Sequence, residues 1–556
     1  MAVDTLPPRS PSPPPGSGGP GTGSTGRLAR LRALGDVHLN RWAVAGLVVA
    51  LTLVSLFLRT RQMNFYYWID EAISVGISSH PLSQLPHLLR EDGSPPLYYL
   101  LLHVWMSAFG QGEAATHALS LVFGAITVPV AYWAGASLFG RRVGAISAIL
   151  AAAVPFLTSY AQETRMYAML LLLALLVATS FVHVFVYRHR RYLVLFSLSL
   201  AAALYTHNWA LFLGLATGLA WLFCVWATPL PRRELWRDGL IGFGVTALLF
   251  VPWLPTLLYQ AQHTGAPWAL PPVFWSLPDA FYFIVGGRGA AMTLLLGAGV
   301  GLVGAATGLW AAGPGRFAVR EGEPEQRRDR TAALALLVIG LGTLLIAFVY
   351  AKTTPAWSGR YLAVIVGPCL LVTALGLSRA RGIGVVALVF VCLFWVLDPR
   401  ASSLYAKSNV AAVAHVMRHH TGPTTLVLST QPEEVPTLAH YLPKVTHYAT
   451  PLGSVPDPRV VDWRNALTRF EHSSVHGTLV PMLQQLAVGD RVLLVVPEIF
   501  QTAPKWMTLI KRSSVRWERY LKHDRSLKLI IDQAPHQFAT GLPVRGLLFE
   551  VRRAGA

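Results

Sequence analysis

Charge is what this sequence has least of. Only 13% of its 556 residues are Asp, Glu, Lys or Arg, while 53% are hydrophobic. A soluble domain carries roughly twice that charged fraction, which excludes an ordinary water-soluble globule. Acidic residues are the scarcer sign, 27 against 46 basic, for a net charge of +19. Such a balance can mark a nucleic-acid binder. Here, however, the arginines fall in short tracts between apolar runs, the pattern of cytoplasmic loops, so nucleic acid is not expected as a partner. There are three cysteines, Cys224, Cys369 and Cys392, each inside an apolar run. They suit small core residues, and a disulfide framework or a cysteine metal site is not expected.

Long apolar runs are abundant. They recur from Trp42 to Leu397 at about 16–25 residues each, the length a helix needs to cross hydrocarbon. The chain reads as a polytopic α-helical protein of the plasma membrane. Residues 1–40, rich in Pro, Gly and Ser, are expected as a disordered cytoplasmic tail. No apolar core follows early enough for a signal peptide, and Trp42–Leu58 can itself direct insertion. Residues 41–400 form the membrane domain and residues 401–556 a soluble domain.

Placing basic tracts inside orders the spans. Arg27, Arg30, Arg32 and Arg41 precede the first. "GRR" (Gly140–Arg142), "YRHRR" (Tyr187–Arg191), "PRRELWR" (Pro231–Arg237), the 315–330 tract and "RAR" (Arg379–Arg381) then occupy every second connection. About eleven spans result. Arg59 and Arg61 run against the scheme and are outweighed by the larger cluster before them. "PPLYYLLLHVWMSAF" (Pro95–Phe109) is short and opens with Pro-Pro, so it is read as a helix lying on the outer surface. The N-terminus is then cytoplasmic and the chain after the last span extracytoplasmic.

Ionisable residues gather at the outer ends of the spans: Asp70, Glu71, Glu91, Asp92, Glu163, Arg165, Arg288, Lys352 and Arg360. Single residues there can simply snorkel to water, but a cluster on one face invites a functional account. In "YYWIDEAISVG" (Tyr66–Gly76), one carboxylate of the Asp70–Glu71 pair can serve as general base; the pair can also just cap a helix. In "WSGRYLAVIVGP" (Trp357–Pro368), Arg360 can grip a lipid phosphate with two parallel hydrogen bonds, or act as an interfacial anchor. Lys352 and Arg288 are weaker candidates for the same phosphate.

With these residues in place, the chain resembles a GT-C-fold membrane glycosyltransferase. It is most similar to family 39 and to the arabinose and mannose transferases that use polyprenyl-phosphate sugars. "YWIDEAISVG" with "DGSPPLYYLLLHVWMSAFG" resembles the first outer loop and its surface helix. "SYAQETRMYAMLLLLAL" (Ser159–Leu175), "LYTHNWALFLGLA" (Leu204–Ala216) and "SGRYLAVIVGP" resemble later stretches in the same order. The resemblance implies that Asp70 is the catalytic acid position with Glu71 beside it. It places Glu163, Arg165 and Tyr167 in the second outer loop, and Tyr98, His207 and Asn208 around the cavity; a lone histidine there also suits packing. Many relatives carry Asp where Glu163 stands. No metal is implied by family 39. A Mg²⁺ or Mn²⁺ ion held by Asp70, Glu71 and Glu163 is the alternative.

From Ala401 the composition changes. "TTLVLST", "RVLLVVP", "LKLIID" and "GLLFEVRR" read as strands, and "DWRNALTRFEHSS" as a helix, of an extracytoplasmic α/β domain. His440, Tyr441 and Trp463 suit packing or a glycan, and an accessory docking role is expected. The implied activity is transfer of mannose or arabinofuranose from a polyprenyl-phosphate donor to a glycan, lipid or protein acceptor, with inversion. A lipid-linked sugar flippase and a non-catalytic scaffold are the competing functions.

Overall fold

The computed structural model describes residues 40–227, 231–306, 324–397, 408–499, 503–534 and 543–552. The expected tail thus lies outside the described residues, Asn40 apart. The helical region opens with α1 (Arg41–Arg59), the short helices α2 (Ile69–Ser78), α3 (Leu85–Asp92) and α4 (Leu97–Phe109), and then α5 (Glu113–Phe139), α6 (Arg141–Ala153) and α7 (Pro155–Tyr160). It continues through α8 (Tyr167–Phe181), α9 (Leu193–Leu204), α10 (Ala210–Ala227), α11 (Arg232–Phe250) and α12 (Leu254–His263). Helices α13 (Ser276–Val285), α14 (Arg288–Ala306), α15 (Pro324–Thr353), α16 (Ala363–Arg379) and α17 (Arg381–Leu397) complete it.

Seven of the described helical segments are long and apolar enough to cross a bilayer, or eight if the pair α13–α14 counts as one bent span. The expected count of eleven is therefore not reproduced by helix length. The remaining expected spans fall on α6, α9 and α17, of 13, 12 and 17 residues. At 1.5 Å per residue such helices are shorter than a hydrocarbon core of roughly 30 Å. Helix α4, with 13 residues, is likewise too short to span. The pair α13–α14 bends by 95°. Gly286 and Gly287 make the bend at φ 79° and 148°, a region closed to most side chains.

Helix α8 is apolar all round and almost wholly buried, which makes it the hub of the bundle. Arg59, the residue that broke the charge pattern, is fully buried instead of facing a loop. Its guanidinium donates to Ser55 Oγ (2.5 Å) and to the carbonyls of Gly124 (2.8 Å), Ala151 (2.6 Å) and Ala152 (3.2 Å). The reason is local. Pro155 has no N–H to give the Ala151 carbonyl, and Arg59 supplies the missing donor while tying α1 to α5 and α6.

The C-terminal region is a six-stranded mixed sheet: β1 (Leu426–Ser429), β2 (His447–Thr450), β3 (Gly453–Val455), β4 (Arg491–Pro497), β5 (Leu527–Gln533) and β6 (Val544–Val551), in the order β3-β2-β1-β4-β6-β5. Strand β1 runs parallel to β2 and β4; the other pairings are antiparallel. The four runs read as strands are β1, β4, β5 and β6. The two short strands β2 and β3 carry too little apolar pattern to stand out. Period-two alternation sends Val427, Leu493 and Leu548 to one core and Leu426, Leu428, Leu494 and Phe549 to the other. Helices α18 (Val410–Met417) and α19 (Val435–Tyr441) cover the first face, and α22 (Lys505–His523) the second. Helix α20 (Ala466–Glu471) covers neither face; Ala466 and Phe470 pack into the membrane-domain core with Trp506 of α22.

The sheet region is seated on α2, α3 and the residues that flank them. The Tyr441 hydroxyl accepts from Tyr67 N (2.7 Å) and donates to Glu113 Oε1 (3.0 Å). His80 Nε2 meets Asp457 Oδ2 at 2.5 Å, and Arg464 pairs with Glu91 at 2.8 Å. Gly76 lies so close to the Arg459 carbonyl that a Cβ would stand 1.9 Å from its oxygen.

Candidate active site

Helix α2 starts at Trp68, whose backbone N–H donates to Glu71 Oε2 at 3.3 Å, one half of a capping box. Glu71 therefore does what a capping residue does, and more. Its Oε1 accepts from His117 Nε2 (2.7 Å) and from the Thr164 backbone N–H (2.8 Å). His117 in turn faces the Met63 carbonyl at 2.8 Å. Glu71 is 3% exposed and binds α2, α5 and the second outer loop together. It was grouped with Asp70 as catalytic. Its side chain is buried, with the buried His117 ring and Thr164 backbone among its partners.

Asp70 faces elsewhere. Its carboxylate pairs with Arg360, 290 residues further along the chain, both side chains being about 15% exposed. The Arg360 guanidinium lies over Trp268 (4.8 Å to the ring centroid), Trp68 (5.4 Å) and Tyr361 (5.6 Å). Three aromatic faces hold the plane of the fork while the open side carries the carboxylate.

Arg165 supports this pair from behind. It donates to the Asp70 carbonyl (3.2 Å), to Ser74 Oγ (2.9 Å) and to the Tyr99 hydroxyl (3.4 Å). Burial opposes its charge, but Tyr167, Tyr99 and Asp70 keep it protonated well above the usual range. Asp92 belongs to the same region. Burial, with Asp70 nearby, pushes its carboxyl up to about 6. His207 goes the other way: burial, aided by Arg165 and Arg360, lowers it to about 3, so it is a neutral imidazole that accepts from Trp209 N (3.1 Å). Its ring packs on Tyr361 (4.6 Å) and Tyr167 (6.0 Å).

The other named residues divide. Tyr167, fully buried, joins this aromatic wall, and Glu163 is buried in the second outer loop with Arg165. Tyr98 is fully buried on Ser120 Oγ (2.9 Å) and packs rather than lines a cavity. Asn208 donates to the Gly93 carbonyl at 3.0 Å and fixes a loop. Lys352 and Arg288 are exposed and lie over the rings of Phe348 and Tyr282. The metal set of Asp70, Glu71 and Glu163 is not assembled; among the described residues no group of three or more His, Cys, Asp or Glu could hold an ion. Trp68 and Trp268 were missed. Trp68 sat inside the quoted motif, while Trp268 follows Pro267 in a loop with no periodic signal.

Fold and site together define the class: a multi-pass membrane protein with the GT-C glycosyltransferase fold. The structure is similar to ArnT from Cupriavidus metallidurans solved with undecaprenyl phosphate, at 14% identity and a TM-score of 0.54, covering 93% of this chain and 100% of that one. It is similar to the oligosaccharyltransferase AglB of Archaeoglobus fulgidus solved with an inhibitory peptide and a dolichol-phosphate (12%, TM-score 0.51, 82% and 69% covered). It is also similar to the mycobacterial arabinofuranosyltransferase AftD (14%, TM-score 0.52, 92% and 42% covered). Residues 93–259 match the family described as dolichyl-phosphate-mannose-protein mannosyltransferase. No curated protein sequence matches the chain.

Proposed function

We propose that this protein transfers a sugar from a polyprenyl-phosphate donor to a hydroxyl acceptor on the outer face of the plasma membrane, with Asp70 as general base and Arg360 as the phosphate-binding group. The observation that carries this is the Asp70–Arg360 contact across 290 residues of sequence, walled by Trp68, Trp268 and Tyr361. The ArnT and AglB structures hold lipid phosphates, which supports a donor of that kind.

The chemistry follows from the two side chains. The donor phosphate takes up the guanidinium donors that Asp70 holds, two parallel hydrogen bonds to its oxygens. That releases the carboxylate to accept the proton of the acceptor hydroxyl. The hydroxyl oxygen bonds to the anomeric carbon, the bond from that carbon to the phosphate oxygen breaks, and polyprenyl phosphate leaves with the electron pair. Arg360, already oriented by its aromatic walls, stabilises the charge that develops there. A single displacement inverts the anomeric centre. Mannose and arabinofuranose are the proposed sugars, and an envelope glycan, lipid or protein the acceptor.

Purified protein in liposomes, given polyprenyl-phosphate mannose or arabinofuranose and analysed by mass spectrometry, tests this. A new glycosidic bond with release of polyprenyl phosphate is expected, and it should persist in EDTA. Movement of donor across the bilayer with no bond formed would instead make the protein a flippase.

A further inference from the structure

The outer domain was expected to be accessory, yet its most unusual feature lies against the catalytic helix. Strand β1 ends at Ser429, and the chain turns through Gln431, Pro432, Glu433 and Glu434 into α19. Strand β1 sits between β2 and β4, parallel to both, with the next strand in sequence on one side and a later strand on the other. The crevice outside the carboxyl ends of such strands is where α/β sheets bind ligands. Here α19 and the 432–434 turn, at the carboxyl end of β1, pack on α2.

Four polar side chains at this corner are nine-tenths or more buried: Gln431, Glu433, Glu434 and Thr437. One oxygen of Glu433 is held by Trp506 Nε1 (3.1 Å) and Gln431 Nε2 (3.2 Å). Among the described residues, Glu433 Oε2, Glu434 Oε1, Gln431 Oε1 and Thr437 Oγ1 have no hydrogen-bond partner. Thr437 is three residues from Glu434 and four from Glu433, the spacing that puts all three on one helical face. A buried polar atom left unmatched loses the hydrogen bonds it had in water, so four at one corner call for an occupant. All four atoms can accept, and Thr437 Oγ1 and a protonated Glu434 can also donate, so the occupant must offer both donors and acceptors.

We propose that the Glu433–Glu434 corner is the subsite that holds the hydroxyl groups of a sugar acceptor beside Asp70, so that the outer domain supplies half of the active site. This rests on the transferase function proposed above. Burial, together with Glu433, pushes the Glu434 carboxyl up to about 8, which leaves it chiefly neutral at pH 7. A neutral acid both accepts from and donates to hydroxyls, whereas a divalent ion requires ionised carboxylates. Glu433 is also raised, by burial first and by Asp70 among its neighbours, which places it within electrostatic reach of the base.

The test uses the full chain, the two polyprenyl-phosphate sugars, and methyl mannopyranoside, methyl arabinofuranoside and their disaccharides as acceptors. Glu433→Gln and Glu434→Gln should raise acceptor KM at least tenfold. Donor KM and the slow hydrolysis of donor by water should stay as in the parent, and melting should stay cooperative. Thr437→Val, nearly isosteric, should move acceptor KM in the same direction should either Gln variant fold poorly. Unchanged acceptor KM in folded variants, or equal rises in both KM values, overturns the subsite. Saturation-transfer NMR separates the two claims. If the parent binds the glycosides and Glu433→Gln does not, but no transfer occurs from either donor, the subsite stands and the transferase function falls. Absence of both binding and transfer overturns both.

Discussion

Successive helix positions point about 100° apart, so Asp70 and Glu71 meet different surroundings although they are neighbours. Glu71 is sealed by His117 and Thr164, and Asp70 opens onto Arg360. Their substitutions should therefore separate. Asp70→Asn is expected to lower transfer by about 10²–10⁴-fold, the usual weight of a general base, with a smaller loss of melting temperature than Glu71→Ala because Asn keeps an acceptor for Arg360. Glu71→Ala strands a buried histidine and a backbone N–H. It should cost about 3–5 kcal/mol and show first as a lower melting temperature. Full activity in Asp70→Asn would remove the mechanism. Arg360→Lys keeps the charge but loses the planar fork that lies against Trp68, Trp268 and Tyr361. It should cost about tenfold or more in kcat/KM for the donor, and acceptor KM should hold.

At the scale of elements, α2 is the piece that every part of the site uses. Its N-terminus carries Trp68 and Asp70, its side takes α19, and Gly76 admits the Asp457–Arg459 loop. A methyl group at residue 76 has no room, since the nearest obstacle is backbone oxygen, not a flexible side chain. Gly76→Ala is expected to weaken docking of the outer domain by about 1–3 kcal/mol, the cost of overpacking. Faster tryptic cleavage at Arg459 would report it, with a loss of transfer. Cleavage at the parent rate would show that the close approach carries no docking energy.

For the whole molecule, buried carboxyls make stability depend on pH. Glu434 has an ordinary value of 4.5 and is raised to about 8, and Asp92 moves from 3.8 to about 6. Each binds its proton more tightly in the folded chain than in the unfolded one. Between the two values the unfolded chain has lost the proton and the folded chain keeps it, so stability falls as pH rises. His207, lowered from 6.5 to about 3, acts the other way below about pH 6.5, so the drop in melting temperature is expected chiefly between about pH 6.5 and pH 8, and Glu434→Gln should flatten most of it. An identical slope in that variant would place the linkage elsewhere.

Hydropathy and arginine placement made the membrane class legible, because the bilayer imposes its length and charge rules on any sequence that enters it. They also brought out Asp70 and Arg360 as candidates, since ionisable side chains beside hydrocarbon are costly. They could not count the spans: α6 and α9 are only 13 and 12 residues long, shorter than the apolar runs they lie in. Nor could they tell the two carboxylates of "IDE" apart, or see that "QPEE" lies against the catalytic helix. Alternating apolar strands outlined most of the sheet, while its order and its seat on α2 come from contacts hundreds of residues apart. Local pattern decides which face of an element is apolar. Only tertiary packing decides which polar side chains end up buried, which partners they meet, and therefore which of them is left with a proton to take.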